Sequence, residues 1–175
     1  MISNKILTKN LRNKKCLFAL SGGVDSIYMY QTIAKKLKSS NVGIAHVNYN
    51  SSSKSIKAFE LSKNLSKTNN HSFFVKSIKI KPKYNFEKTA RNIRYSFFHS
   101  IMEKENYELL FVAHNKDDLL ESLYMKNFPN KDYTVIPFNN SRKKIIRPLI
   151  NLYRSEIIKI SKKYNYDWIE DPTNF

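Results

Sequence analysis

Glycine is scarce in this chain of 175 residues, with three in all, and cysteine is scarcer, with one. A single cysteine forms no intrachain disulfide. Cys16 also sits inside an apolar run, where a thiol reads as a small core residue rather than a nucleophile. Acidic side chains are few as well: 14 against 31 basic ones, a formal charge of +17. A field of that sign draws polyanions and puts nucleic acid first among macromolecular partners. The competing explanation is a set of solvated, lysine-rich helix faces. No apolar run reaches the length of a membrane span, and Met1 to Lys15 is too polar for a signal peptide. One cytoplasmic domain over residues 1–175 is therefore expected, large enough to bury a core.

Two of the three glycines stand together in Ser21-Gly22-Gly23-Val24-Asp25-Ser26, directly behind the apolar run Cys16 to Leu20. A continuous apolar run of this kind reads as a strand covered on both faces. Beyond the loop, Ile27, Tyr30, Ala34 and Leu37 recur at helical spacing. The glycines thus occupy a strand-to-helix turn, where amide groups and the positive end of a helix dipole favour an anion, most often phosphate. A plain turn is the ordinary alternative. Ser21 and Ser26 add hydroxyls, and Asp25 adds a carboxylate, which suits phosphates if magnesium bridges the two. The chain lacks the Gly-Lys-Ser/Thr of the Walker loop and the third glycine of the dinucleotide fingerprint.

Strand-like runs at Cys16–Leu20, Val42–Val47, Phe73–Val75 and Leu109–Ala113 alternate with helical stretches near 24–38, 54–67, 86–104, 117–127 and 153–164. The pattern predicts a doubly wound, mostly parallel α/β sheet with helices on both faces. Asn127 to Lys144 is polar, carries Pro129 and Pro137, and is expected to be a mobile loop. Ligands in such sheets sit beyond the carboxyl ends of the strands. There the chain places Ala45-His46-Val47-Asn48 and, after the fourth run, Ala113-His114 with Asp117, Asp118 and Glu121. Carboxylates and a histidine so close together suit magnesium binding and proton transfer, or simply complement a helix dipole.

The glycine loop resembles that of the PP-loop ATP pyrophosphatases. With it, in order, come Glu87-Lys88-Thr89-Ala90-Arg91-Asn92-Ile93-Arg94-Tyr95, the His114 segment, Arg147-Pro148-Leu149 with Arg154, and Glu170-Asp171-Pro172-Thr173-Asn174. Together they resemble the catalytic domain of the tRNA(Ile)-lysidine synthetase family. That resemblance implies ligation of free L-lysine to C2 of the wobble cytidine in tRNA(Ile) with a CAU anticodon, through an ATP-adenylated intermediate. It implies an ATP site at Ser21, Gly22, Gly23, Val24, Asp25, Ser26 and His46, with the serine hydroxyls and glycine amides on the departing pyrophosphate. Asp25 and Asp118 are implied as magnesium ligands. Glu121 or Asp117 would hold and deprotonate the lysine, and His114 would act near the base. Arg91, Arg94, Arg147 and Arg154 would meet phosphate charge or the tRNA backbone, with Arg91 also catalytic. The chain departs from the family pattern after Asn48, where Tyr49-Asn50-Ser51 replaces a histidine-glycine-leucine run and the arginine beyond it. Family members generally continue into C-terminal parts that hold tRNA, and no counterpart follows Phe175 here. Weak, salt-sensitive and poorly discriminating tRNA binding is therefore expected. Two other readings compete. One is a different PP-loop tRNA enzyme such as a thiolase, which needs cysteines this chain does not have. The other is a non-catalytic RNA-binding module, which gives no reason for the carboxylate set.

Overall fold

The computed structural model describes residues 11, 13–50, 52–78, 86–127, 139–140 and 144–170. Its elements run β1 (Cys16–Ala19), α1 (Val24–Ile33), β2 (Val42–Asn48), α2 (Ser53–Thr68), β3 (Ser72–Ser77), α3 (Phe86–Lys104), β4 (Leu109–Phe111), α4 (Lys116–Lys126), β5 (Asn139–Asn140), β6 (Ile145–Ile146) and α5 (Arg154–Lys163). They form one sheet in the order β3-β2-β1-β4-β6-β5, parallel throughout except for the antiparallel edge pair β5–β6. The expected doubly wound, mostly parallel sheet is the one that forms.

The alternation of β1 explains its unbroken apolar sequence. Cys16 and Phe18 pack with α1 (Val24, Ile27, Met29, Ile33) and with Ile157 of α5, whereas Leu17 packs with Phe98, Ile101 and Met102 of α3. A side-chain period of two thus divides one run between two cores. Phe18 stacks on Phe111 of β4 at 4.8 Å between ring centres, tying the two central strands together.

Position in the sheet decides where the site lies. From β1 the chain steps outward to β2 and β3, and β4 then returns to the opposite flank of β1. The loops leaving β1 and β4 diverge at this reversal, which opens a crevice at the strands' carboxyl ends.

Two expectations change in detail. The helix anticipated to reach residue 38 ends as α-helix at Ile33 and finishes in a short 3-10 turn, Ala34–Lys36. The Asn127–Lys144 stretch contributes an edge strand at Asn139–Asn140, and its residues 128–138 and 141–143 lie outside the described residues. Among the described residues, no helix is long and apolar enough to cross a membrane.

Candidate active site

The adjacent glycines do different things. Gly22 has φ of +88°, and a Cβ there would stand 2.7 Å from Ala58 Cβ and 3.0 Å from Ala58 Cα. It therefore combines a left-handed backbone with close packing on α2. Gly23 is extended, caps α1, and would bring a Cβ no closer than 3.5 Å to Ser21 Oγ. The serines brace this loop. Ser21 Oγ donates to Ser26 Oγ (3.1 Å), and Ser26 Oγ donates to the Gly23 carbonyl (2.9 Å). Both hydroxyl protons are thus used within the loop, and Ser21 Oγ also accepts from Gly23 N at 3.3 Å. What remains for an anion is the start of α1 itself. No side chain caps that helix, and its first internal amide bond is Ile27 N to Gly23 O. Of the amides ahead of Ile27, that of Gly23 donates to Ser21 Oγ, which leaves those of Val24 to Ser26 at the helix start with the dipole behind them.

The turn after β4 is built oppositely. Buried Asn115 caps α4, its Oδ1 accepting from Asp118 N (3.0 Å) while Asp118 Oδ2 accepts from Asn115 N (2.8 Å). This reciprocal box satisfies the helix start from within. Asp117, expected as a partner for lysine, instead accepts from the Arg154 backbone N–H at 2.7 Å and so fastens the start of α5. Lys116 strengthens that junction, its N–H donating to Leu152 O (2.9 Å) and its ammonium lying 4.1 Å from the Tyr153 ring centre. The Arg154 guanidinium then extends to within 3.8 Å of Asp25 Oδ2.

Asp25 at the crevice and Asp118 behind it thereby come close enough for their charges to interact. Burial raises the pKa of each above the ordinary carboxylate value, and Asp25 adds a repulsion that raises Asp118 further. Asn115 and Arg154 pull Asp25 the other way. Asp25 Oδ1 is buried without a hydrogen-bond partner. A buried, unpartnered acceptor beside a repelling carboxylate is a setting that a divalent cation would relieve, with these two carboxylates as its side-chain ligands, since no group of three metal-ligating side chains gathers among the described residues. Glu121 is exposed, one turn beyond Asp118, and raises its pKa through charge.

His114 and the arginines differ from expectation in one respect. Arg147 is 3% exposed, and its Nε donates to His114 Nδ1 at 3.0 Å, so it is engaged inside the fold. Burial, and after it Arg147, Arg91 and Arg94, lower the His114 pKa to about 3. Arg91 is exposed and stacks 5.2 Å from the Tyr95 ring centre. Arg94, one turn further along α3, turns into the crevice.

A cavity of about 690 Å³ fills this crevice. Of the expected residues, Ser21, Gly23, Val24, Asp25, Ser26, Arg94, His114 and Arg154 line it; Gly22, Asp117, Asp118, Glu121, Arg91 and Arg147 do not. His46 is 2% exposed beneath the glycine loop and does not line the cavity itself; its Nδ1 lies 2.8 Å from the carbonyl oxygen of Leu20, which does. Sequence reasoning missed Lys54 and Lys162, two cations in the wall, and the aromatic pair Tyr49 and Trp168. Lys54 lies on α2 one turn before Ala58, close to the loop it would serve. Its signal was the helix start itself, after a segment that lacks the family's arginine. Ile169 N donates to Gly22 O at 2.9 Å, which brings Trp168 and Glu170 to the cavity. Residues 171–174 of the Glu-Asp-Pro-Thr-Asn segment lie outside the described residues.

An open helix start, paired carboxylates and a cationic cavity at a sheet reversal define a nucleotide-binding α/β domain. The chain belongs to the PP-loop domain family, whose model matches residues 2–175. Among curated relatives, the tRNA(Ile)-lysidine synthase of Mesoplasma florum is 35% identical over 90% of this chain and 41% of its own length. The chain thus spans about two fifths of the length of the curated relatives it matches. Among solved structures, the U34-tRNA thiolase NcsA of Methanococcus maripaludis, with its [4Fe-4S] cluster, superposes with a TM-score of 0.75. Its identity is 18%, covering 98% of this chain and 65% of that one. The NH3-dependent NAD synthetase of Campylobacter jejuni superposes with a TM-score of 0.65 at 21% identity, covering 93% and 70%. At these identities the likeness is one of fold.

Proposed function

We propose that this chain is the catalytic part of a cytoplasmic ligase that joins free L-lysine to C2 of the wobble cytidine in a tRNA(Ile) bearing a CAU anticodon, consuming ATP. The observation that carries the reading is the uncapped start of α1 beside the partnerless oxygen of Asp25, opening on a cavity walled by Lys54, Arg94, Arg154 and Lys162. The first-turn amides of α1 take the β- and γ-phosphates, and the cavity cations offset the charge of the departing pyrophosphate. Asp25 and Asp118 would hold magnesium, which supplies charge neutralisation at the phosphates. The cytidine O2 attacks the α-phosphorus and pyrophosphate leaves; the lysine ε-amine then attacks C2 and AMP leaves. The protein's main contribution is positioning and electrostatics. With Asp117 held by Arg154, Glu121 remains as the carboxylate for the lysine ammonium, which must lose a proton before attack.

A thiolase reading finds no support in the chain's one thiol. Cys16 is fully buried, and burial pushes its pKa up to about 12, away from the thiolate that sulfur chemistry needs.

The test is incubation with CAU-anticodon tRNA(Ile), labelled lysine and ATP. Incorporation that requires all three supports the reading; ATP turnover without lysine transfer to RNA overturns it. Within that assay, Asp118→Asn is expected to stop pyrophosphate release. Glu121→Gln is expected to retain tRNA-dependent ATP–pyrophosphate exchange and lose transfer. Both variants blocked at one step would contradict this division.

A further inference from the structure

His114 follows β4 and Arg147 follows β6, and these strands are parallel neighbours with Phe111 opposite Ile146. Their ends deliver both side chains to the same edge of the crevice. There the buried Arg147 Nε donates to His114 Nδ1 at 3.0 Å. A guanidinium has only donors and keeps its proton in proteins. Nδ1 must therefore be the bare nitrogen, and the one proton of the neutral ring belongs on Nε2. We propose that Arg147 is a positioning residue that fixes His114 as the Nε2–H tautomer, so that this histidine offers the cavity a hydrogen-bond donor and not a base.

The surroundings act in the same direction. The charged groups acting on the ring are Arg147 beside it and Arg91 and Arg94 from α3, all cations; no carboxylate among the described residues opposes them. Imidazolium would set two N–H groups face to face and add charge to a buried cluster of like sign. The ring is accordingly held neutral well below physiological pH. A neutral N–H at a cavity wall is suited to an oxygen that gains negative charge, such as the cytidine O2 or a phosphate oxygen. The proton lost by the lysine amine must then be accepted elsewhere.

The tautomer rests on the hydrogen bond alone, whereas the oxygen it serves rests on the ligase reading. A spectroscopic test without substrate keeps the two separable. The full chain, labelled with nitrogen-15 in its histidine rings, is compared with the same protein carrying His114→Phe, which identifies the His114 resonances. Expected is a ring protonated at Nε2 and bare at Nδ1, unchanged from about pH 5 to about pH 8. Arg147→Gln, which keeps an N–H donor and removes the charge, is expected to preserve the tautomer while the protonation midpoint rises but stays below the ordinary histidine value, because burial, Arg91 and Arg94 still act. Arg147→Met is expected to release the tautomer, giving a mixture, while burial with Arg91 and Arg94 still holds the ring neutral below its ordinary midpoint. Should the Arg147 variants fail to fold, the unmodified protein still decides. An Nδ1–H ring, or one that protonates near neutral pH, overturns the proposal. In turnover, His114→Gln retains a donor and is expected to keep more activity than His114→Phe. Equal loss in both would contradict the donor role.

Discussion

Two strand-to-helix turns meet at the crevice, and they solve the same local problem in opposite ways. The turn after β4 closes its helix start with the Asn115–Asp118 box. The turn after β1 spends its serine hydroxyls on its own shape and leaves the helix start uncapped. One helix is finished by its own side chains; the other has amides left for something from outside. A motif of small polar residues is thus not a phosphate site merely by composition. What matters is whether the folded loop leaves its donors unused.

The comparison is broken most severely at Gly22. Gly22→Ala places a Cβ against Ala58 in a left-handed backbone. Strain and overpacking together are expected to cost about 3 kcal/mol or more, read as a large fall in the urea midpoint. Gly23→Val, one residue on, separates binding from folding. The backbone is extended and the new Cβ would meet Ser21 Oγ at 3.5 Å, an ordinary contact, so stability is expected to stay within about 1 kcal/mol. The side chain would stand where phosphate approaches, and ATP affinity measured by calorimetry is expected to fall at least tenfold, on the order of one lost charged hydrogen bond.

At α4 the outcome reverses. Asn115→Ala removes a cap and is expected to cost about 1 kcal/mol of stability. Asp25→Asn is expected to do the opposite. Because burial raises the Asp25 pKa, the folded state binds that proton more tightly than the unfolded chain, so ionisation costs stability once pH rises above the ordinary carboxylate value. Replacement by Asn should therefore stabilise the free protein at neutral pH, by about 1 kcal/mol or roughly 2–4 °C in Tm. The gain should vanish below about pH 4, where both forms carry a neutral side chain. A neutral-pH Tm unchanged or lowered would show that the Arg154 contact outweighs burial.

The differences also mark where sequence patterns stop being informative. The apolar run of β1 and the period of α3 were legible because each element satisfies its own periodicity. The two residues of β6 have no period to read, and they exist as a strand because β4 and β5 pair with them from either side. Arg147 and His46 were both expected to touch ligands, as polar residues near strand ends should. Both are buried, since their partners, His114 and the Leu20 carbonyl, come from other strands. Asp117 was legible as first-turn acid, but its target, the Arg154 amide, lies on α5. Lys54 escaped notice because a lysine in a helix's first turn looks like any solvated lysine until α2 is packed on the glycine loop.

The central claim is that the start of α1, and not that of α4, receives the phosphates. Amide resonances followed while pyrophosphate is titrated into the protein test it most directly. The amides of Val24 to Ser26 are expected to move most and those of Asn115 to Asp118 to stay nearly still, with the response lost in Gly23→Val. Largest shifts at Asn115 to Asp118, or none at Val24 to Ser26 at saturation, would contradict it.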